Sequence, residues 1–116
     1  KSLKANKEIY TIVQPDLCVI CNPELLDTQG CNGAPDWIIE ILSKGNSKKE
    51  MTIKYELYAE AGVLEYWIVY PEQEAIHQFV LNEQGHYDLK MMFAEGTAQS
   101  HLFPDLEIEL NEIFEL

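Results

Sequence analysis

The sequence predicts an α/β or α+β domain built on a mixed β-sheet with one crossover helix. Trp37-Ile38-Ile39-Glu40-Ile41-Leu42 and Leu64-Glu65-Tyr66-Trp67-Ile68-Val69-Tyr70 are nearly unbroken apolar runs, the mark of strands buried on both faces. Between them, Met51, Tyr55, Tyr58 and Ala59 recur at helical spacing. After them come two further apolar stretches separated by turn chemistry. A strand, a helix and a strand in that order need a crossover, which makes the two strands parallel neighbours or near neighbours in one sheet.

The elements follow in order along the chain. Glu8–Val13 and Asp16–Cys21 are rich in β-branched side chains and read as strands broken at Pro15. Residues 22–34, with their Asn, Pro, Asp, Thr and Gly, read as a polar connection. Asp36–Leu42 is the first buried strand and Ser43–Ser47 a polar turn. Ser47-Lys48-Lys49-Glu50 has the form of a helix capping box, so the helix is expected from Lys48 to Ala61 with Gly62 just past its end. Leu64–Tyr70 is the second buried strand, closed by Pro71. Glu74–Leu81 and Tyr87–Phe93 read as a hairpin around Asn82-Glu83-Gln84-Gly85. The tail from His101 to Leu116 combines a short extended piece with a helical turn at Asn111–Glu115. No repeat, low-complexity tract or linker divides the chain, so residues 1–116 are expected to form a single domain.

A chain of 116 residues with 47% hydrophobic and 24% charged residues supports one modest core and excludes a disordered or collagenous polypeptide. The net charge is −12. Its distribution is uneven: residues 1–58 carry seven Lys against eight acids, whereas residues 59–116 carry one Lys against twelve, and Arg is absent. A non-specific nucleic-acid binder carries a basic stripe, because neutralising phosphates releases counterions. Here the basic residues outside the N-terminus concentrate at Lys44, Lys48, Lys49 and Lys54, on the turn and predicted helix after the Glu40 strand. No apolar run reaches the ~20 residues of a membrane span, and no signal peptide pattern opens the chain. Cys18, Cys21 and Cys31 are odd in number, which fits a reducing, cytoplasmic setting; Cys18 and Cys21 sit on a strand pointing to opposite faces, which argues against a shared zinc.

Asp16 and Glu40 are acids inside apolar strands, and Asp36 opens the second of them. A buried, unpaired carboxylate costs several kcal/mol, so each needs a basic partner, a raised pKa or a metal ion. With only eight basic residues in the chain, a hard cation held by two carboxylates from adjacent strands is the sharpest explanation. Lys54 reads in two ways: as an ordinary i,i+4 partner of Glu50 on a solvated face, or as a lysine turned inward, since Leu57, Tyr58 and Ala61 flank it with apolar surface. His77, His86 and His101 are scattered and read as structural or exposed.

Taken together, Gln14-Pro15-Asp16, Gly33-Ala34-Pro35-Asp36-Trp37-Ile38-Ile39-Glu40-Ile41-Leu42-Ser43, Glu50-x-x-x-Lys54-Tyr55-x-x-Tyr58 and Gly62-Val63-x-x-Tyr66-Trp67-Ile68-Val69 resemble the putative restriction endonuclease family, assigned to the PD-(D/E)XK nuclease superfamily. The resemblance runs from about residue 8 to the end and includes Leu102-Phe103-Pro104. It implies a restriction-endonuclease-like mixed sheet in a bacterial, cytoplasmic protein that hydrolyses DNA phosphodiesters with Mg²⁺ (or Mn²⁺). Asp16 matches the PD aspartate and Glu40 the acid of the second motif, and both would hold the metal. The motif's lysine would fall at Leu42; the resemblance places it instead on the following helix, at Lys54. Asp36 and Ser43 would lie just behind these residues, Asp36 as a supporting acid or turn residue, Ser43 as a phosphate donor or, preferably, the start of the turn.

The superfamily fold opens with a helix, yet only seven residues precede the first strand here. That helix is therefore expected to be missing, cut away or supplied by a partner, and the apolar sheet surface it would leave points to a homodimer. Two alternatives stand beside the nuclease reading. One is a nuclease-fold module with an incomplete site that binds or regulates; the other is a β-rich interaction domain whose inward acids are paired with lysines.

Overall fold

The computed structural model describes residues 17–19, 26–27, 30–31, 35–42, 45 and 48–114. Asp16, Ser43, the capping Ser47 and the strand expected at 8–13 lie outside these residues. The elements are β1 (Leu17–Val19), β2 (Leu26–Asp27), β3 (Gly30–Cys31), β4 (Trp37–Ile41), α1 (Lys48–Ala61), β5 (Glu65–Tyr70), β6 (Ala75–Leu81), β7 (Tyr87–Phe93), β8 (Thr97–Gln99), β9 (Glu107–Glu109) and α2 (Leu110–Phe114).

β1, β4, β5, β6 and β7 form one mixed five-stranded sheet in that order. β4 and β5 are parallel, with Ile38 opposite Tyr66 and Glu40 opposite Ile68, and α1 makes the crossover between them. All other pairs in the sheet are antiparallel. The ladder extends at both ends: Glu65 N–H donates to Asp36 O at 3.0 Å and Leu42 N–H to Val69 O at 2.9 Å. The two apolar runs thus occupy central positions, where both faces are covered.

α1 spans the residues its pattern predicts, and its end shows why. Gly62 has φ +87°, its N–H donates to Ala59 O at 3.1 Å, and Val63 N–H donates to Tyr58 O at 3.0 Å. These are the paired bonds of a Schellman motif, which needs a left-handed residue after the helix. Tyr58 and Val63, the two apolar residues bracketing the motif, are both fully buried in the same cluster. The helix stops here and β5 begins two residues later.

Strand alternation divides the core into two layers. Ile38, Tyr66, Ile68 and Tyr87 face α1 and pack with Tyr58 and Val63. Trp37, Ile39, Trp67, Val69 and Ile76 face the other way and are closed over by Ala98 of β8 and Leu110 of α2. Trp37 and Trp67 meet edge to face at 4.9 Å. Each aliphatic side chain so buried contributes roughly 1.5–3 kcal/mol.

Three features differ from the sequence expectation. The 22–34 connection carries a two-stranded ribbon, β2 with β3. β6 starts at Ala75, because Glu74 adopts φ +51° in the turn after Pro71. β8 and β9 pair antiparallel as a separate ribbon leading directly into α2, where the sequence showed only a short extended piece. The β6–β7 hairpin closes as expected: Asn82 Oδ1 accepts from the N–H groups of Gln84 and His86, each at 3.0 Å, and Gly85 takes φ +82°.

Candidate functional site

Glu40 lies on the α1-facing side of β4 by alternation with Ile38, and it is 2% exposed. Above it runs one i,i+4 row of α1, Glu50, Lys54 and Tyr58. Lys54 turns inward. Its Nζ lies 3.2 Å from Glu40 Oε1 and 3.6 Å from Glu50 Oε2, so it bridges a buried carboxylate and a half-exposed one. Tyr58 Oη donates to the other oxygen, Glu40 Oε2, at 2.5 Å. Of the two readings of Lys54 from the sequence, the inward one describes its placement: Lys54 is buried, not on a solvated face, and it keeps the i,i+4 contact with Glu50 while reaching the strand acid.

The helix geometry places these groups without distortion. Side chains three and four positions apart share a face, so Lys54 and Tyr58 both overhang the strand that carries Glu40. A charge-assisted hydrogen bond from a phenol, added to an ion pair, is what allows a carboxylate to remain in so dry a place. Burial also governs the neighbouring phenols. Tyr66, fully buried beside this cluster, has its hydroxyl pushed well above the usual tyrosine range, by desolvation first and by the Glu40 charge second. Among the described residues its Oη has no hydrogen-bond partner, and neither does Trp37 Nε1 on the opposite face.

Asp36 is half-buried at the mouth of β4, where its backbone carbonyl accepts from Glu65. Asp16 and Ser43 lie outside the described residues. The β1–β4 register sets Leu17 opposite Ile39. Among the described residues no three His, Cys, Asp or Glu side chains gather into a metal-binding group. The donor chemistry is nonetheless of the kind a hard cation takes: Glu40 presents carboxylate oxygens, which Lys54 Nζ and Tyr58 Oη hold in place. Lys48 and Lys49 are exposed in the first turn of α1, one to two turns before Lys54. No described helix is long and apolar enough to cross a membrane.

Glu65 was missed by the sequence reading. It is fully buried on the face opposite Glu40, opposite Trp37 in the β4–β5 register. Oε1 accepts from Ser100 Oγ and from Leu102 N–H, both at 2.9 Å. Oε2 accepts from Trp67 Nε1 at 2.6 Å, Gln78 Nε2 at 2.9 Å and His101 N–H at 3.0 Å. The signal that marked Glu40, an acid inside an apolar run, was equally present in Leu64-Glu65-Tyr66-Trp67.

Comparison with known proteins agrees with this architecture. Residues 4–111 match the family Uma2, described as "Putative restriction endonuclease". A solved structure described as a putative nuclease belonging to DUF820, from Anabaena variabilis ATCC 29413, superposes with a TM-score of 0.66 at 20% identity. The superposition covers 88% of this chain and 59% of that one, so the chain spans somewhat over half the length of its structural neighbour. At that identity the likeness is one of fold. No curated protein matches the sequence.

Proposed function

The chain belongs to the Uma2 family of putative restriction endonucleases, and from that premise we propose that it is a metal-dependent nuclease hydrolysing DNA phosphodiester bonds. The observation that carries the reading is the Lys54–Glu40 contact of 3.2 Å, a buried acid and a buried lysine brought from strand and helix to one point. Asp16 and Glu40 would hold Mg²⁺ or Mn²⁺. When bound, that ion supplies Lewis acidity toward a phosphate oxygen and a water of lowered pKa.

The chain's own residues supply the remaining functions. Glu40 offers carboxylate oxygens on a rigid central strand, held by Tyr58 on one side and Lys54 on the other. In this reading the Lys54 ammonium orients the attacking water and offsets negative charge developing on the phosphate. Lys48 and Lys49, exposed at the start of the same helix, attract the DNA backbone toward this end of the helix. In this reading Asp36, at the start of β4, and Ser43 would be the supporting residues. A cytoplasmic location fits such a substrate. The edge strand β7 exposes Leu89, Met91 and Met92, which supports the homodimer expected from the sequence.

The second reading is a nuclease-fold module that binds or regulates without cutting. It is favoured by the same contact, because the Lys54 ion pair on its own compensates the Glu40 charge. A cleavage assay on supercoiled and linear DNA with Mg²⁺ or Mn²⁺ separates the two. Metal-dependent cleavage lost in both Glu40→Gln and Lys54→Met supports the nuclease. Binding without cleavage by the wild-type protein supports the module.

A further inference from the structure

We propose that Tyr58 is the positioning residue of this site, fixing the rotation of the Glu40 carboxylate so that Oε1 is presented to Lys54 and to a divalent cation. The proposal deepens the nuclease reading and rests on it for the cation, but not for the Glu40–Lys54 geometry. A glutamate side chain has three rotatable bonds, and the Lys54 ammonium contacts one oxygen of the carboxylate, Oε1, at 3.2 Å. The Tyr58 hydroxyl holds the other, Oε2, at 2.5 Å, and a second donor on the second oxygen opposes rotation about the last of those bonds. Its ring is fully buried in the apolar layer, packed edge to face on Tyr66 at 5.3 Å, so the donor itself cannot move. Tyr58 and Lys54 are one turn apart on α1, and the Schellman motif that begins at Tyr58 O fixes where that turn ends. The two oxygens of Glu40 are therefore differentiated by two donors from a single rigid helix.

Tyr66 provides the internal control. It stands on the same side of the sheet, is equally buried and carries a phenol, but its hydroxyl has no partner among the described residues. Tyr58→Phe and Tyr66→Phe delete the same atom from the same layer, and only the first should disturb the site.

The test has two readouts on the full chain, with folding of each variant checked by far-UV circular dichroism. The first is crystallographic, in metal-free protein: Tyr58→Phe should let the Glu40 carboxylate rotate and lose its contact with Lys54 Nζ, while Tyr66→Phe should keep it. The second is Mn²⁺ binding by calorimetry, in which loss of an outer hydrogen bond to a ligand lowers affinity about 10–100-fold, so Tyr58→Phe should weaken binding by that factor and Tyr66→Phe should not. An unchanged Glu40 rotamer in Tyr58→Phe, or equal weakening in both variants, overturns the proposal. If the wild-type protein binds no Mn²⁺ yet Tyr58→Phe unseats Lys54, the nuclease reading fails and the positioning role stands.

Discussion

Glu65 and Leu102, 37 positions apart in the chain, are joined by a 2.9 Å hydrogen bond from the Leu102 backbone to the buried Glu65 carboxylate. Four further donors converge on the same group, from Trp67, Gln78, Ser100 and His101. One side chain at the start of a central strand therefore ties down the segment that links β8 to β9. Glu65→Ala should leave this set of donors buried without an acceptor, each such group costing about 1–3 kcal/mol when it finds no water. A loss of roughly 3 kcal/mol or more in urea unfolding is expected, with Glu65→Gln costing less because one acceptor oxygen remains. Amide exchange should accelerate first at His101 and Leu102. Unchanged protection there would mean that apolar packing of Ala98 and Leu110 alone holds the segment.

The Lys54–Glu40 pair makes a different thermodynamic prediction. Removing one partner of a buried ion pair strands the other charge and costs about 3–5 kcal/mol, whereas replacing both by apolar residues is often neutral. Lys54→Met should therefore destabilise strongly, and Lys54→Met combined with Glu40→Leu should recover most of the loss. A double-mutant cycle in denaturant measures the coupling. Additive effects would place Lys54 mainly with Glu50, at 3.6 Å, and not with Glu40.

The legibility of these features follows from the range of the interactions that specify them. α1 was readable to the residue, because its apolar spacing, its entry at Lys48 and its exit at Gly62 are all local signals. The β4 and β5 runs were readable because a doubly buried strand has little room for polar residues. The β8–β9 ribbon was not. Its strands are three residues each, their outward residues are polar, and they pair because Ala98 and Leu110 dock on the Trp37–Trp67 layer. At the site, Glu40 declared itself by interrupting an apolar strand, and the inward turn of Lys54 by its apolar helix neighbours. The Tyr58 donor was invisible, since a tyrosine on a helix stripe looks like core until its hydroxyl is located. Glu65 carried the same signal as Glu40, but its acceptor role depends on residues 78 and 100–102, which no local pattern connects to it.

Gly62 offers a test of the helix terminus alone. A Cβ at this position would meet nothing within 4 Å, so substitution adds no clash and only the left-handed backbone is penalised. Gly62→Ala should cost about 1–2 kcal/mol, the expense of a side chain at positive φ. The measurement is the denaturant midpoint with an unchanged slope. A neutral effect would show that the terminus relaxes out of the left-handed region.

His77 sets an expectation for pH. It lies in the cross-sheet row that runs from Glu40 through Ile68, and its ring packs on Tyr70 at 4.5 Å. Partial burial lowers its pKa below the usual histidine value of 6.5. The unfolded chain therefore binds the His77 proton more readily than the folded one, and this contribution to stability declines as pH falls through about 6.5 toward the lower folded value. Above that range it is fully present. Melting temperatures from pH 5 to 8 should fall less steeply on the acid side in His77→Gln than in the wild-type protein, and parallel curves would assign the acid sensitivity to carboxylates.

Tyr66 carries the opposite expectation from most core substitutions. Its hydroxyl is buried without a partner among the described residues, and an unsatisfied polar group in an apolar layer costs free energy that its removal returns. The ring is worth keeping, because it contacts Tyr58, Phe79 and Tyr87 at centroid distances of 5.3, 6.0 and 5.7 Å. Tyr66→Phe preserves those contacts and deletes only the oxygen, so stability should be unchanged or rise by up to about 1–3 kcal/mol. The small void left by one oxygen opposes this gain, but its cost scales with a volume well below that of a methyl group. Thermal unfolding of the variant decides the matter. A melting temperature clearly below wild type would mean that the hydroxyl is satisfied in solution, with an ordered water between Tyr66 and the Glu40 cluster as the group that satisfies it.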